Sequence, residues 1–175
     1  MPTIVSELAT KIIKLKNGVK VKSIIWDTAG QEKYRSLINQ HYRLAAGALI
    51  VYDVTKKESF QQIQKFLFDI KQYCEPDCVV YLVGNKIDLL ESKEYERAVS
   101  LEEINAFCSE NQLKYIETSA YSQTNVKEAF LNLLEDVHKV QKSSNVKNDI
   151  IGQRPIRIKE KTKKEETTEG GECQC

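Results

Sequence analysis

Trp26-Asp27-Thr28-Ala29-Gly30-Gln31-Glu32 is the stretch whose reading decides the fold. An apolar strand end stops abruptly at an acid and gives way to a small loop that carries a glycine and a glutamine. The run before it, Val19 to Trp26, alternates and then turns apolar, which predicts a strand entering a buried sheet. Asp27 is thereby placed at a carboxyl edge, where open α/β sheets receive their ligands. A carboxylate there suits Mg²⁺, which takes hard oxygen ligands and keeps part of its water shell. Gly30 lets a backbone N–H approach a phosphate closely. Gln31, neutral and bifunctional, can orient an attacking water without ionising.

Working outward, Glu7 to Lys16 alternates loosely, and Asn17-Gly18 predicts a two-residue type I′ turn that joins it to the strand ending at Asp27. Tyr34 to Ala46 is short and helix-like. Gly47 then precedes Ala48-Leu49-Ile50-Val51-Tyr52-Asp53, a continuous apolar run typical of a buried parallel strand. Glu58 to Tyr73 carries Phe60, Ile63, Phe66, Leu67, Ile70 and Tyr73 at spacings of three and four, an amphipathic helix. Cys78 to Val83 is the next buried strand, and it opens into Gly84-Asn85-Lys86-Ile87-Asp88. Ser100 and Glu103 form a capping box before Ile104 and Phe107. Tyr115-Ile116 is the centre of a short strand closed by Thr118-Ser119-Ala120, and Asn125 to Val140 is the last helix. From Gln141 to Cys175 periodicity fades into lysine, glutamate, threonine and glycine, a composition that cannot repay its ordering entropy. The expected organisation is one domain over residues 1–140 and a flexible tail over 141–175.

Composition narrows the function classes. Lys and Arg number 26 against 25 Asp and Glu, a net charge of +1, which lacks the strongly basic footprint of a nucleic-acid binder. No apolar run reaches the roughly 18 residues of a membrane span, and Met1-Pro2-Thr3-Ile4 has no secretory-signal character, so a cytosolic address is expected. Five cysteines, an odd number, do not read as a disulfide framework.

The seven-residue stretch resembles the nucleotide-switch loop of the Ras superfamily, the Rab branch especially. Asn85-Lys86-Ile87-Asp88 resembles the N-K-x-D base-recognition motif of the same superfamily, and Glu117-Thr118-Ser119-Ala120 its fifth motif. The Asp88 carboxylate can accept two hydrogen bonds from the ring N–H and exocyclic amine of guanine, an arrangement adenine does not present. The resemblance implies an α/β fold of the P-loop NTPase type: a mostly parallel sheet flanked by helices. It implies GTP or GDP and Mg²⁺ as ligands. Asn85, Lys86, Asp88, Ser119 and Ala120 would hold guanine, the Ala120 N–H meeting the base carbonyl. Thr3 and Asp27 would support Mg²⁺, Gly30 would contact the terminal phosphate, and Gln31 would orient water for GTP hydrolysis.

Tyr42-Arg43 and Ile50 to Thr55 also look Rab-like, whereas Val5, Glu7-Leu8 and Leu44 depart from the usual pattern. Cys173-Gln174-Cys175 resembles the double geranylgeranylation signal, two lipid chains being what stable anchoring requires. Attachment to the cytosolic face of an endomembrane during vesicle traffic is implied. So are an exchange factor, a GTPase-activating protein, a prenylation escort and effectors.

The chain contains no G-x-x-x-x-G-K-[ST] loop, and Pro2-Thr3-Ile4 looks like the first switch. The expectation is therefore a domain missing its first strand and helix, with nucleotide affinity and catalysis impaired. The alternative is a nucleotide-independent binding protein or a fragment without function.

Overall fold

The computed structural model describes residues 7–27 and 42–151, with side chains described over 8–27 and 42–143. Thr3, Gly30, Gln31, Cys173, Cys175 and most of the helix-like stretch before Ala46 lie outside the described residues. Elements follow in the order β1 (Glu7–Lys14), β2 (Lys20–Asp27), β3 (Gly47–Asp53), α1 (Lys57–Gln61), α2 (Ile63–Tyr73), β4 (Val79–Asn85), α3 (Asp88–Glu91), α4 (Leu101–Asn111), β5 (Lys114–Thr118) and α5 (Val126–Ile151). They build two sheets, an antiparallel β1-β2 hairpin and a parallel β3-β4-β5 sheet. The expected alternation of parallel strands and helices is present from Gly47 onward.

Helices lie on both faces of the parallel sheet, which is why its strands read as unbroken apolar runs, although Val51 of β3 stays exposed. Successive residues of β4 point to opposite faces. Leu82 joins Ile50 and Tyr52 of β3 in one core with Phe60, Ile63, Leu67, Ile70, Ile104 and Cys108 from α1, α2 and α4. On the other face α5 packs against β3, β4 and β5, burying Ala129 and Leu133. Gly47 admits this helix, because a Cβ there would come 2.8 Å from Val137 and 3.0 Å from Leu133.

The hairpin differs from its sequence reading in two respects. Lys14 pairs with Lys20, the Leu15 N–H donates to the Val19 carbonyl, and the Gly18 N–H donates to the Leu15 carbonyl. Only Gly18, at φ 86°, is left-handed; Asn17 is not. The connection is thus a three-residue loop of Lys16, Asn17 and Gly18, because the Asn17 side chain accepts from the Val19 N–H instead of entering a type I′ turn. Secondly, β2 does not run into a buried sheet: Ile24, Trp26 and Asp27 are exposed. Among the described residues β2 pairs with β1 alone, and a two-stranded ribbon has no second layer there to bury its face.

Two helices also differ. The amphipathic stretch from Glu58 is interrupted at Gln62, whose ψ of −16° is flatter than an α-helical value, although Phe60, Ile63, Leu67 and Ile70 of its apolar stripe are buried and Phe66 and Tyr73 half-buried. The last helix continues to Ile151 rather than ending near Val140. No glycine or proline interrupts residues 141–151, so backbone hydrogen bonding continues after the apolar stripe has ended. Ser100 caps α4 as expected, its hydroxyl accepting from the Glu103 N–H at 3.2 Å.

Gly84, in mid-sheet, lies against the tyrosines that fill the core beside it: a Cβ would come 2.6 Å from the Tyr115 hydroxyl and 2.9 Å from Val54. Gly84→Ala is expected to destabilise the domain by about 1–3 kcal/mol through overpacking, read as a lower denaturant midpoint at unchanged m-value. At the opposite end of the sheet, Asp136 of α5 accepts from Tyr81 of β4 at 2.6 Å and from Lys139 at 2.9 Å, and pairs with Lys114 of β5. Burial pushes the Asp136 carboxyl up, but Lys114, Tyr81 and Lys139 outweigh it and hold it well below the usual carboxylate range. A carboxyl depressed on folding stabilises above its unfolded pKa of about 3.9 and loses that contribution as pH falls. The thermal midpoint should therefore fall between about pH 5 and pH 2, and Asp136→Asn should make that dependence shallower.

Candidate functional site

The site is built where β3, β4 and β5 end side by side. Their register sets Asp53 opposite Asn85, and Asn85 opposite Thr118. Each of these residues ends an apolar strand with a polar group, and each begins a loop at the carboxyl edge of the sheet, where such folds bind ligands.

Asn85 ties the loops together. Its main-chain carbonyl accepts from the Val54 N–H at 3.0 Å. Its side-chain Oδ1 accepts from the Thr118 hydroxyl at 3.3 Å and from the Ala120 N–H at 3.0 Å. The Ile87 N–H returns to the Thr118 carbonyl at 3.3 Å. Ser119, fully buried, donates from its hydroxyl to Asp88 Oδ1 at 2.5 Å and accepts from the Ser122 N–H at 3.0 Å. Asn85, Asp88, Ser119 and Ala120, predicted from two separate motifs, are thus drawn into one hydrogen-bonded cluster. A carboxylate accepts up to about four hydrogen bonds, so Asp88, with one oxygen engaged by Ser119, retains capacity for two donors of a ligand. The Ala120 N–H is differently disposed from expectation, being already donated to Asn85. A base carbonyl placed there has to share it in a three-centre bond or displace Asn85.

Lys86 follows in a left-handed conformation, φ 72°, and its ammonium pairs with Asp53 Oδ2 at 2.7 Å. Burial pushes the Asp53 carboxyl up, but Lys86 and the Thr55 hydroxyl and N–H outweigh it and hold it below its ordinary value. Asp27 sits at the exposed carboxyl end of β2, opposite Glu7. It offers the hard oxygen that Mg²⁺ takes. Among the described residues no group of three or more His, Cys, Asp or Glu is placed to hold a metal.

A second rank of residues supports the cluster. Arg97 donates to both oxygens of Glu117, at 2.6 and 3.2 Å. The Tyr115 hydroxyl donates to Glu117 Oε1 at 2.7 Å and lies 2.9 Å from the Tyr52 hydroxyl. Asn125 holds the Glu117 carbonyl at 2.9 Å. Burial pushes the Tyr52 phenol up to about 12. It also pushes the Glu117 carboxyl up, but Arg97 and Tyr115 outweigh it and keep it below the ordinary value. Glu117 is the first residue of a predicted motif and Tyr115 the centre of a predicted strand, but Arg97 escaped the sequence reading, since a fork between Arg97 and Glu117 leaves no local pattern. Asp53 did leave one: like Asp27 and Asn85 it ends an apolar strand.

The sequence profile of the Ras family matches residues 1–139. The GTP-binding protein ypt3 of Schizosaccharomyces pombe is 48% identical over 138 residues, covering 79% of this chain and 62% of that protein. The Ras-related protein rab-11.1 of Caenorhabditis elegans is 41% identical over 150 residues, 86% of this chain and 69% of that protein. The Ras-related protein RABA1a of Arabidopsis thaliana is 42% identical over 144 residues, 82% and 64% respectively. The chain therefore spans 62–69% of the length of these relatives.

Arg97→Met leaves the Glu117 carboxylate without its fork. The pair is only about a quarter exposed, and after allowance for solvent its loss should cost about 1–2 kcal/mol. The Glu117 pKa, followed by carboxyl-carbon NMR, should rise in the same variant.

Proposed function

We propose, because this chain belongs to the Ras family of small GTPases and to its Rab branch, that its β4 and β5 loops recognise guanine as part of a GTP/GDP switch in vesicle-mediated membrane traffic. The observation that carries the reading is the convergence of Asn85, Asp88, Ser119 and Ala120 at one sheet edge. Asp88 accepts from the ring N–H and exocyclic amine of guanine, with Ser119 fixing its carboxylate. Asn85 keeps the two loops in register, the stem of Lys86 lies along the base, and Ala120 shares its N–H between Asn85 and the base carbonyl in a three-centre bond.

On the phosphate side the reading assigns Thr3 and Asp27 to Mg²⁺, Gly30 to the terminal phosphate and Gln31 to the water that attacks it. Mg²⁺, when bound, neutralises charge on the phosphate oxygens. The chain's own part is positioning: Gln31 orients water through a neutral amide, with no proton transfer required of it. Cys173 and Cys175 are proposed to carry two prenyl chains, which together suffice for stable attachment to an endomembrane. Among the described residues no helix is long and apolar enough to cross a membrane. An exchange factor, a GTPase-activating protein, a prenylation escort and effectors complete the proposed cycle.

Base recognition is tested apart from phosphate contacts by titrating the chain with guanosine, inosine and adenosine, followed by amide NMR. Inosine lacks the exocyclic amine, so guanosine should bind about 10–100-fold more tightly, the worth of one hydrogen bond to a charged group. Asp88→Ala should abolish that gap. Equal binding of the three nucleosides, or none of guanosine, would overturn the reading.

A further inference from the structure

We propose that Asp53 is a positioning residue for guanine recognition, acting through Lys86; the inference rests on the base-binding reading above. Asp53 ends β3 directly opposite Asn85, the residue that precedes Lys86. Its carboxylate is divided between two tasks. Oδ1 accepts from the Thr55 N–H at 3.0 Å and the Thr55 hydroxyl at 2.7 Å, which closes the turn after β3. Oδ2 takes the Lys86 ammonium at 2.7 Å. The main chain of Asp53 is fixed as well. The Ser59 hydroxyl lies 3.0 Å from its N–H, which donates to it, and 3.1 Å from its carbonyl. Asp53 is therefore a rigid acceptor on the sheet edge, its side chain 12% exposed.

Lys86 is the opposite kind of residue. Its side chain is 49% exposed and its backbone is left-handed, a conformation that L residues other than glycine seldom adopt. A lysine with so much freedom samples many rotamers of its four-carbon stem. With the Lys86 side chain half exposed, the ion pair adds little to folding stability. What the pair does is select one course for the stem, from Asn85 back towards β3, and so shape the wall against which a base is laid. Nothing in the N-K-x-D pattern itself specifies this partner, which comes from a different strand and a different loop.

The test is a double-mutant cycle in the full chain, read by guanosine titration and by thermal unfolding. Asp53→Asn retains an oxygen for Thr55 and loses the charge that holds Lys86. It should weaken guanosine binding about three- to tenfold with a small change in unfolding midpoint. Lys86→Met should weaken it by a similar factor, and the double variant no further. Ser100→Ala, which loses only the cap of α4, should lower the midpoint while leaving guanosine affinity within about twofold. If the two single effects multiply in the double variant, or Asp53→Asn binds guanosine like the native chain, Asp53 does not act through Lys86 and the inference fails while base recognition stands. If the native chain binds no guanosine, both fall together.

Discussion

A single carboxamide, that of Asn85, holds the carboxyl edge of this sheet together. Three strands end there, and each frees a loop whose backbone needs partners that the sheet no longer supplies. Asn85 gives its main-chain carbonyl to Val54 after β3, and its side-chain oxygen to Thr118 and Ala120 after β5. A neutral amide can do this at low cost in desolvation, where a charged group would demand further compensation. The positions of Asp88, Ser119 and Ala120 all depend on that tie, so the base-facing surface is a property of the sheet's edge and not of any one loop.

Beneath the edge lies a graded support. The Tyr52, Tyr115, Glu117 and Arg97 chain runs under the loops and fixes the end of β5 from its own core side. Gly84 exists to make room for it, since the Tyr115 hydroxyl occupies the space a Cβ would need. Asp53 supports from the β3 side. Asp53 and Glu117 are each held by two partners, as partly buried charge requires. Within the described side chains no buried nitrogen or oxygen lacks a hydrogen bond.

Much of this was legible in the chain, for physical reasons that differ between elements. Strand β4 is covered on both faces and β3 mostly so, with Val51 exposed, so their apolar runs announced them, and a polar residue at the end of each marked the carboxyl edge. The stretch after Gly84 and the one after Glu117 could be joined because their residue types suit one ligand, although only the fold shows Asn85 bonded to Ala120. Less could be read where tertiary context decides. Asn17-Gly18 is compatible with two hairpin turns, and the choice fell to an Asn17 side-chain bond with Val19. The exposed end of β2 could not be foreseen from apolarity alone, since burial depends on what a strand pairs with. Residues 141–151 lack an apolar stripe yet remain helical. Arg97 and Glu117 meet across twenty residues with no periodic signal.

The claim that Asn85 is the keystone of the site is tested most directly by hydrogen exchange at the Ala120 amide, with Leu82 in the core as internal reference. The account predicts that Asn85→Ala accelerates Ala120 exchange by about tenfold or more, the equivalent of about 1.4 kcal/mol of lost protection, while Leu82 stays protected. Asn85→Asp, which keeps an acceptor in place, should restore most of the protection. An Ala120 amide as well protected in Asn85→Ala as in the native chain would contradict the account, because the loops would then hold their register without the side chain assigned to join them.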